Sequence, residues 1–234
     1  MILQVRDIQK SFGGMTALDG ASFTLPAGSI TSLFGTNGSG KSTLFNIISG
    51  YLHADGGSVQ LRGNALNGST PVERAREGIG RTWQSPRVFK DLPVIDNMLM
   101  ANKPSAGSWF AGLFAMGSST EQRTLRTKAE TLLQEVGLSA RANDMAGSLS
   151  LGQQKLLSVA MLLMSDPELL LLDEPFAGVS PTMVRHIAEV LLALKARGHT
   201  ILLIEHNTGV ARSISDQILE LRSGRMHTLQ AYPA

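Results

Sequence analysis

The chain runs to 234 residues, of which 43% are apolar and 17% charged, a composition that supports a substantial buried core and excludes a disordered or coiled-coil protein. The formal charge is only +2, and no block of Lys or Arg provides an electrostatic footprint for nucleic acid. Cysteine is absent, which rules out disulfides, Cys-ligated zinc and thiol catalysis.

The opening residues, MILQVRDIQK, carry Arg6 and no apolar h-region, so they do not read as a secretory signal. Apolar runs such as Leu169 to Leu172 fall far below the roughly 20 residues that span a bilayer, so a cytoplasmic chain with at most a peripheral membrane role is expected. Short strands broken by glycine and turn residues are expected at Ile2 to Ile8, Ala21 to Leu25, Ser29 to Phe34 and Ser58 to Arg62. A helix follows from near Lys41, and Ile79 to Trp83 leads to Gln84. From Pro93 to Leu138 the spacing turns helical. Leu125, Ala129, Leu132, Leu133 and Val136 recur along Glu121 to Val136, after a loop at Pro104 to Gly117. Gly152 to Met164 reads as a helix, Leu169 to Asp173 as a strand buried on both faces, Pro181 to Arg197 as a helix stopped by Gly198, and Thr200 to Glu205 as another buried strand. Strands alternating with helices predict an α/β fold with a largely parallel core, and the helical stretch is an insertion into it.

The run Gly35-Thr36-Asn37-Gly38-Ser39-Gly40-Lys41-Ser42-Thr43 satisfies G-x-x-x-x-G-K-[ST] between an apolar strand and a helix, the context that a phosphate loop requires. Glycines let successive N–H groups turn toward phosphate oxygens, Lys41 supplies a positive charge for the β- and γ-phosphates, and Ser42 offers a hydroxyl to Mg²⁺. The helix N-terminus directs a partial positive charge at the same anion. Leu169 to Glu174 delivers two acids to the C-terminal end of a buried strand, Asp173 to hold Mg²⁺ and Glu174 to polarise an attacking water. Taken alone, this strand reads equally well as core ending in solvated acids.

Between the two motifs, Leu149-Ser150-Leu151-Gly152-Gln153-Gln154 resembles the signature of ABC ATPases. The resemblance covers the chain from about Leu3 to Gly224. It implies a P-loop NTPase (RecA-like) core with an antiparallel β subdomain and an inserted α-helical subdomain, ATP and Mg²⁺ as cofactors, and hydrolysis of ATP. It also implies a second ATPase subunit, identical or not, with Ser150, Gly152 and Gln153 reaching the ATP held by the other subunit's phosphate loop. Gln84 matches the family's glutamine that contacts metal and water, His206 its switch histidine, and Phe12 its adenine-stacking aromatic. Singly these read as a surface amide, a helix cap and a core side chain. The implied division is 1–84 with 154–234 as catalytic core and 85–153 as helical signature subdomain.

Gly80 to Gln84, Gln153-Gln154, Ala177 to Pro181 and Ile204 to Asn207 resemble the ATPase subunits of branched-chain amino-acid and urea or amide importers. That likeness implies membrane permease subunits as partners, a solute-binding protein acting indirectly, no nucleic acid, and a place on the cytoplasmic face of the inner membrane. Ser85 to Phe89 and Val94 to Met100 are expected to present apolar residues to a cytoplasmic helix of the permease. The alternatives are a lipopolysaccharide-extraction type exporter ATPase and a nucleotide-switch P-loop protein with little turnover. Three features depart from the family: Leu151 in place of glycine, Ser180 in place of the D-loop Asp or Asn, and Met161 in place of arginine; the likeness to importer subunits also implies a helical tail beyond Gly224, further than these 234 residues extend.

Overall fold

The computed structural model describes residues 1–102, 119–206 and 208–229. The expected loop from Pro104 to Gly117, and Asn207, lie outside them. The described residues divide into two compact units, one within Met1–Gln84, Pro167–Ala177 and Val184–Ala234, the other within Ser85–Asp166 and Gly178–Met183.

The first unit carries two sheets. β1 (Leu3–Phe12) and β2 (Met15–Leu25) form a hairpin, and with β4 (Gly56–Leu61) and β5 (Asn64–Ala65) they make an antiparallel sheet in the order β2-β1-β4-β5. The second sheet runs β10-β9-β3-β8-β7-β6, from β3 (Ile30–Phe34), β6 (Ile79–Arg81), β7 (Leu169–Asp173), β8 (Thr200–Ile204), β9 (Gln217–Arg222) and β10 (Arg225–Leu229). Its strands are parallel except for the β9/β10 hairpin. β3, β7 and β8 bury nearly every residue, as parallel strands covered on both faces must. Their few polar groups are satisfied: Ser32 Oγ lies 2.6 Å from Ser215 Oγ, and Thr200 Oγ1 accepts from the Gly28 N–H at 3.0 Å.

Helix α1 (Lys41–Ile48) follows β3 and packs Leu44, Phe45, Ile47 and Ile48 into the core shared by the two sheets. Its last carbonyls are capped by a side chain. The guanidinium of Arg74, on α2 (Pro71–Arg76), is buried and donates to Ile47 O, to Ile48 O at 2.8 Å and to Leu66 O at 2.7 Å. A cation at that end also favours the helix dipole.

The second unit packs α3 (Val94–Met100), α4 (Ser119–Glu135) and α5 (Leu151–Leu163) against one another. Ala129, Leu132, Leu133 and Val136 are all buried, the stripe that the spacing predicts. The expected boundary at 153/154 falls inside α5, and this unit continues to Asp166 and takes in Gly178–Met183. A cut there would break a continuous hydrogen-bonded helix. Of the residues expected to face a partner, Val94, Ile95 and Met98 pack internally, whereas Phe89 and Met100 are exposed. Among the described residues no helix is long and apolar enough to cross a membrane.

Candidate active site

The phosphate loop, residues 35–43, links β3 to α1. Gly40 is the N-cap of α1 at φ 103°, a conformation that suits glycine. A Cβ there would stand 2.5 Å from the Ala17 carbonyl oxygen. The first intrahelical bond is Leu44 N–H to Gly40 O at 2.9 Å, so the N–H groups of Lys41, Ser42 and Thr43 in the first turn are open to an anion. No acid occupies the first turn to compete for them. The Lys41 ammonium folds back on the loop, donating to Gly35 O at 2.7 Å and Thr36 O at 3.0 Å. Burial lowers its pKa, opposed by the nearby carboxylates of Glu174 and Asp173. Thr36, Asn37, Gly38 and Ser42 are exposed and Thr43 is half-buried.

The acids stand where β7 ends. Asp173 N–H donates to Thr82 Oγ1 at 3.3 Å, and its carboxylate lies 3.8 Å from Arg81. Glu174 leaves the strand at φ 50° with its N–H on Ile204 O at 3.0 Å. A non-glycine residue in this region is costly unless its surroundings hold it. Here they do. Gln84 Nε2 donates to Glu174 Oε2 at 2.9 Å, and His206 Nε2 lies 3.2 Å from Oε1. The three residues expected to do chemistry, Gln84, Glu174 and His206, therefore form one cluster.

Phe12 sits at the tip of the β1/β2 hairpin, 49% exposed, with Lys10 Nζ 5.5 Å from its ring centre. It is not core, and its open face can stack on a planar base. In the second unit Ser150 caps α5 through a capping box: Ser150 N–H donates to Gln153 Oε1 at 3.0 Å, and Gln153 N–H to Ser150 Oγ at 3.3 Å. Gly152 is required by close approach, since a Cβ there would fall on Met183. Leu151 is exposed, with a methyl beside Gly178, where the lack of a side chain makes room for it. Ser180 Oγ accepts the Met183 N–H at 3.3 Å at the start of α6 (Pro181–Ala196), a capping task that serine performs as well as the usual acid.

Arg81 stands out in the structure more than in the sequence, where it marks only family likeness. Its guanidinium donates to Asn46 Oδ1 on α1 at 2.7 Å and to Oγ of Ser49, the C-cap of that helix, at 2.8 Å, and lies 4.3 Å from the centre of the Trp83 ring. It thus ties the phosphate-loop helix to the strand leading to Gln84.

The residues fit ATP with Mg²⁺. Ser39 Oγ is buried within the phosphate loop without a hydrogen-bond partner, and Lys41 spends only part of its donor capacity on carbonyls. Among the described residues no three His, Asp or Glu side chains gather as metal donors. Mg²⁺ takes one or two carboxylates and fills its shell with water and phosphate oxygens. Asp173 and Ser42 supply the donor types required.

A glycine-rich phosphate loop between a buried strand and a helix, with an Asp-Glu pair closing a parallel strand of the same sheet, defines a P-loop nucleoside triphosphatase. The chain belongs to the ABC transporter family, whose model matches residues 18–177. It is an ABC transporter ATPase subunit homologous to the ATP-binding proteins of branched-chain amino acid importers. It is 36% identical over 225 residues to a probable branched-chain amino acid transport ATP-binding protein LivG of Methanocaldococcus jannaschii, covering 96% of this chain and 88% of that one. It is 35% identical over 226 residues to the high-affinity branched-chain amino acid transport ATP-binding protein BraF of Pseudomonas aeruginosa, covering 95% and 89%. A solved nucleotide-free ATP-binding cassette from an ABC transporter matches with TM-score 0.87 and 34% identity, covering 99% and 92% of the two chains. An ATP-binding cassette in its ADP conformation matches with TM-score 0.86 and 36% identity, covering 97% and 89%. These relatives support the importer reading over the exporter and nucleotide-switch alternatives.

Proposed function

We propose that this subunit, on the cytoplasmic face of a membrane and paired with a second ATPase subunit, hydrolyses Mg-ATP to drive uptake of branched-chain amino acids or similar solutes through permease subunits fed by a solute-binding protein. The cluster of Gln84, Glu174 and His206 at the end of β7 carries this reading. Glu174 serves as general base, drawing the proton from a water that Gln84 and His206 hold in line. Lys41 and the N–H groups at the start of α1 hold the γ-phosphate, and Phe12 stacks on the adenine. Ser42, Gln84 and Asp173 would hold Mg²⁺, which would supply positive charge to offset that of the phosphates. Ser150, Gly152 and Gln153 of one subunit complete the site of the other. The capping box uses Ser150 Oγ and Gln153 Oε1 only as acceptors, which leaves the Ser150 hydroxyl proton and the Gln153 NH₂ to donate to a phosphate in trans.

Replacing Glu174 by Gln tests the assignment. Nucleotide binding should persist while turnover falls about 10²–10⁴-fold, and the ATP-bound variant should accumulate as a dimer in gel filtration. Undiminished turnover would remove Glu174 from the role of base.

A further inference from the structure

We infer that Glu205 is a positioning residue for ATP hydrolysis, its buried carboxylate bracing the turn that bears Glu174 and the backbone that bears His206. The inference rests on the roles proposed above for those two residues. Glu205 is 2% exposed, and a carboxylate so placed is unfavourable unless strong hydrogen bonds compensate. Its bonds join separate parts of the site. Oε1 accepts the Phe176 N–H at 2.8 Å and Oε2 the His206 N–H at 3.1 Å, while its own N–H reaches Leu33 O, at the end of the strand leading into the phosphate loop, at 3.4 Å.

The need for an acid here follows from the sheet. The β7/β8 ladder ends at Asp173 opposite Ile204. One further bond, Glu174 N–H to Ile204 O, continues it, and then the turn leaves the strand direction. Phe176 N–H no longer has a main-chain carbonyl on β8 to meet, and the Glu205 side chain supplies the acceptor. An ionised carboxylate presents two acceptor oxygens, whereas a glutamine presents one, so that its NH₂ would oppose one of the two N–H groups. Loss of this brace frees the φ 50° turn at Glu174 and the His206 backbone together, and both side chains converge on one water-ordering cluster.

The test uses the full chain with Glu205→Gln and Glu205→Ala, and Glu174→Gln alongside. Backbone amide exchange of Phe176 and His206 should quicken in both Glu205 variants while exchange in β3, β7 and β8 stays at the wild-type rate. At concentrations where the wild type turns over, kcat should fall about tenfold in the Gln variant and about 10²-fold in the Ala variant, with the ATP KM held within about twofold. Unchanged exchange at those two amides overturns the proposal, as does wild-type kcat in the Ala variant. A rise in exchange across the whole sheet also overturns it, by making Glu205 a general core residue. If Glu174→Gln keeps its turnover, the assignment of the base has failed instead, and the amide exchange still reports on the brace.

Discussion

Lys41 shows how far a single residue can be read from its neighbours in sequence. Its role depends on a nine-residue run whose loop closes on itself, so spacing alone specifies it, and its ammonium lies against the carbonyls of Gly35 and Thr36 from the same run. Replacing Lys41 by Ala should weaken ATP binding roughly ten- to a hundredfold, the worth of charge-assisted hydrogen bonds, in a titration with a fluorescent nucleotide. Undiminished affinity would contradict the phosphate-loop reading. Arg81 and Glu205 were not legible in this way. The hydrogen-bond partners of Arg81, Asn46 and Ser49, come from a distant stretch of chain, and Phe176 is 29 residues from Glu205. Only the sheet brings them together.

Elements were legible where burial is two-sided. β7 and β8 are continuous apolar runs and fall where expected, β8 ending one residue early at Ile204. The exposed hairpin was not: β1 and β2 extend through Ser11 and Thr16 to Phe12 and Met15, polar or exposed positions held by cross-strand pairing and interrupted by register shifts. The β9/β10 hairpin was missed although Ser223-Gly224, both at positive φ, is a turn dipeptide between Arg222 and Arg225, with Leu221 and Met226 beyond them. Tertiary clamps decide how such edges are held. Asp55 accepts from Lys10 Nζ at 2.5 Å and Ser11 N–H at 2.8 Å, steadying the β1 end that carries Phe12. These bonds, first the Lys10 ammonium and then the Ser11 N–H, hold its carboxyl below the usual range. A depressed folded-state pKa gives stability that is present above the unfolded value, about 3.9, and is lost as pH falls through the folded value. Denaturant unfolding should therefore show Asp55→Asn less stable than wild type at neutral pH, with the gap closing in acid. A gap that persisted unchanged in acid would argue against the ion pair.

At the scale of the whole molecule, sequence reveals an insertion but not its limits. Helical spacing marks Pro93 to Leu138 as different in kind, yet whether α5 and residues 178–183 join it depends on packing such as Met183 and Val179 against Gly152. The phosphate loop and the signature consequently belong to different compact units. Gln84, Glu174 and His206 cluster beside the strand ends of the first unit, which carries the chemistry in the proposed function, while the signature awaits a second ATPase subunit in the proposed pairing. The measurement that bears most directly on this is ATPase rate per subunit against protein concentration at saturating Mg-ATP, for wild type and Glu174→Gln. A composite site predicts that the wild-type rate per subunit climbs with concentration to a plateau, while the variant forms an ATP-bound dimer with little turnover. A finite wild-type rate per subunit that does not vary with concentration, from a chain that stays monomeric with ATP bound, would contradict it.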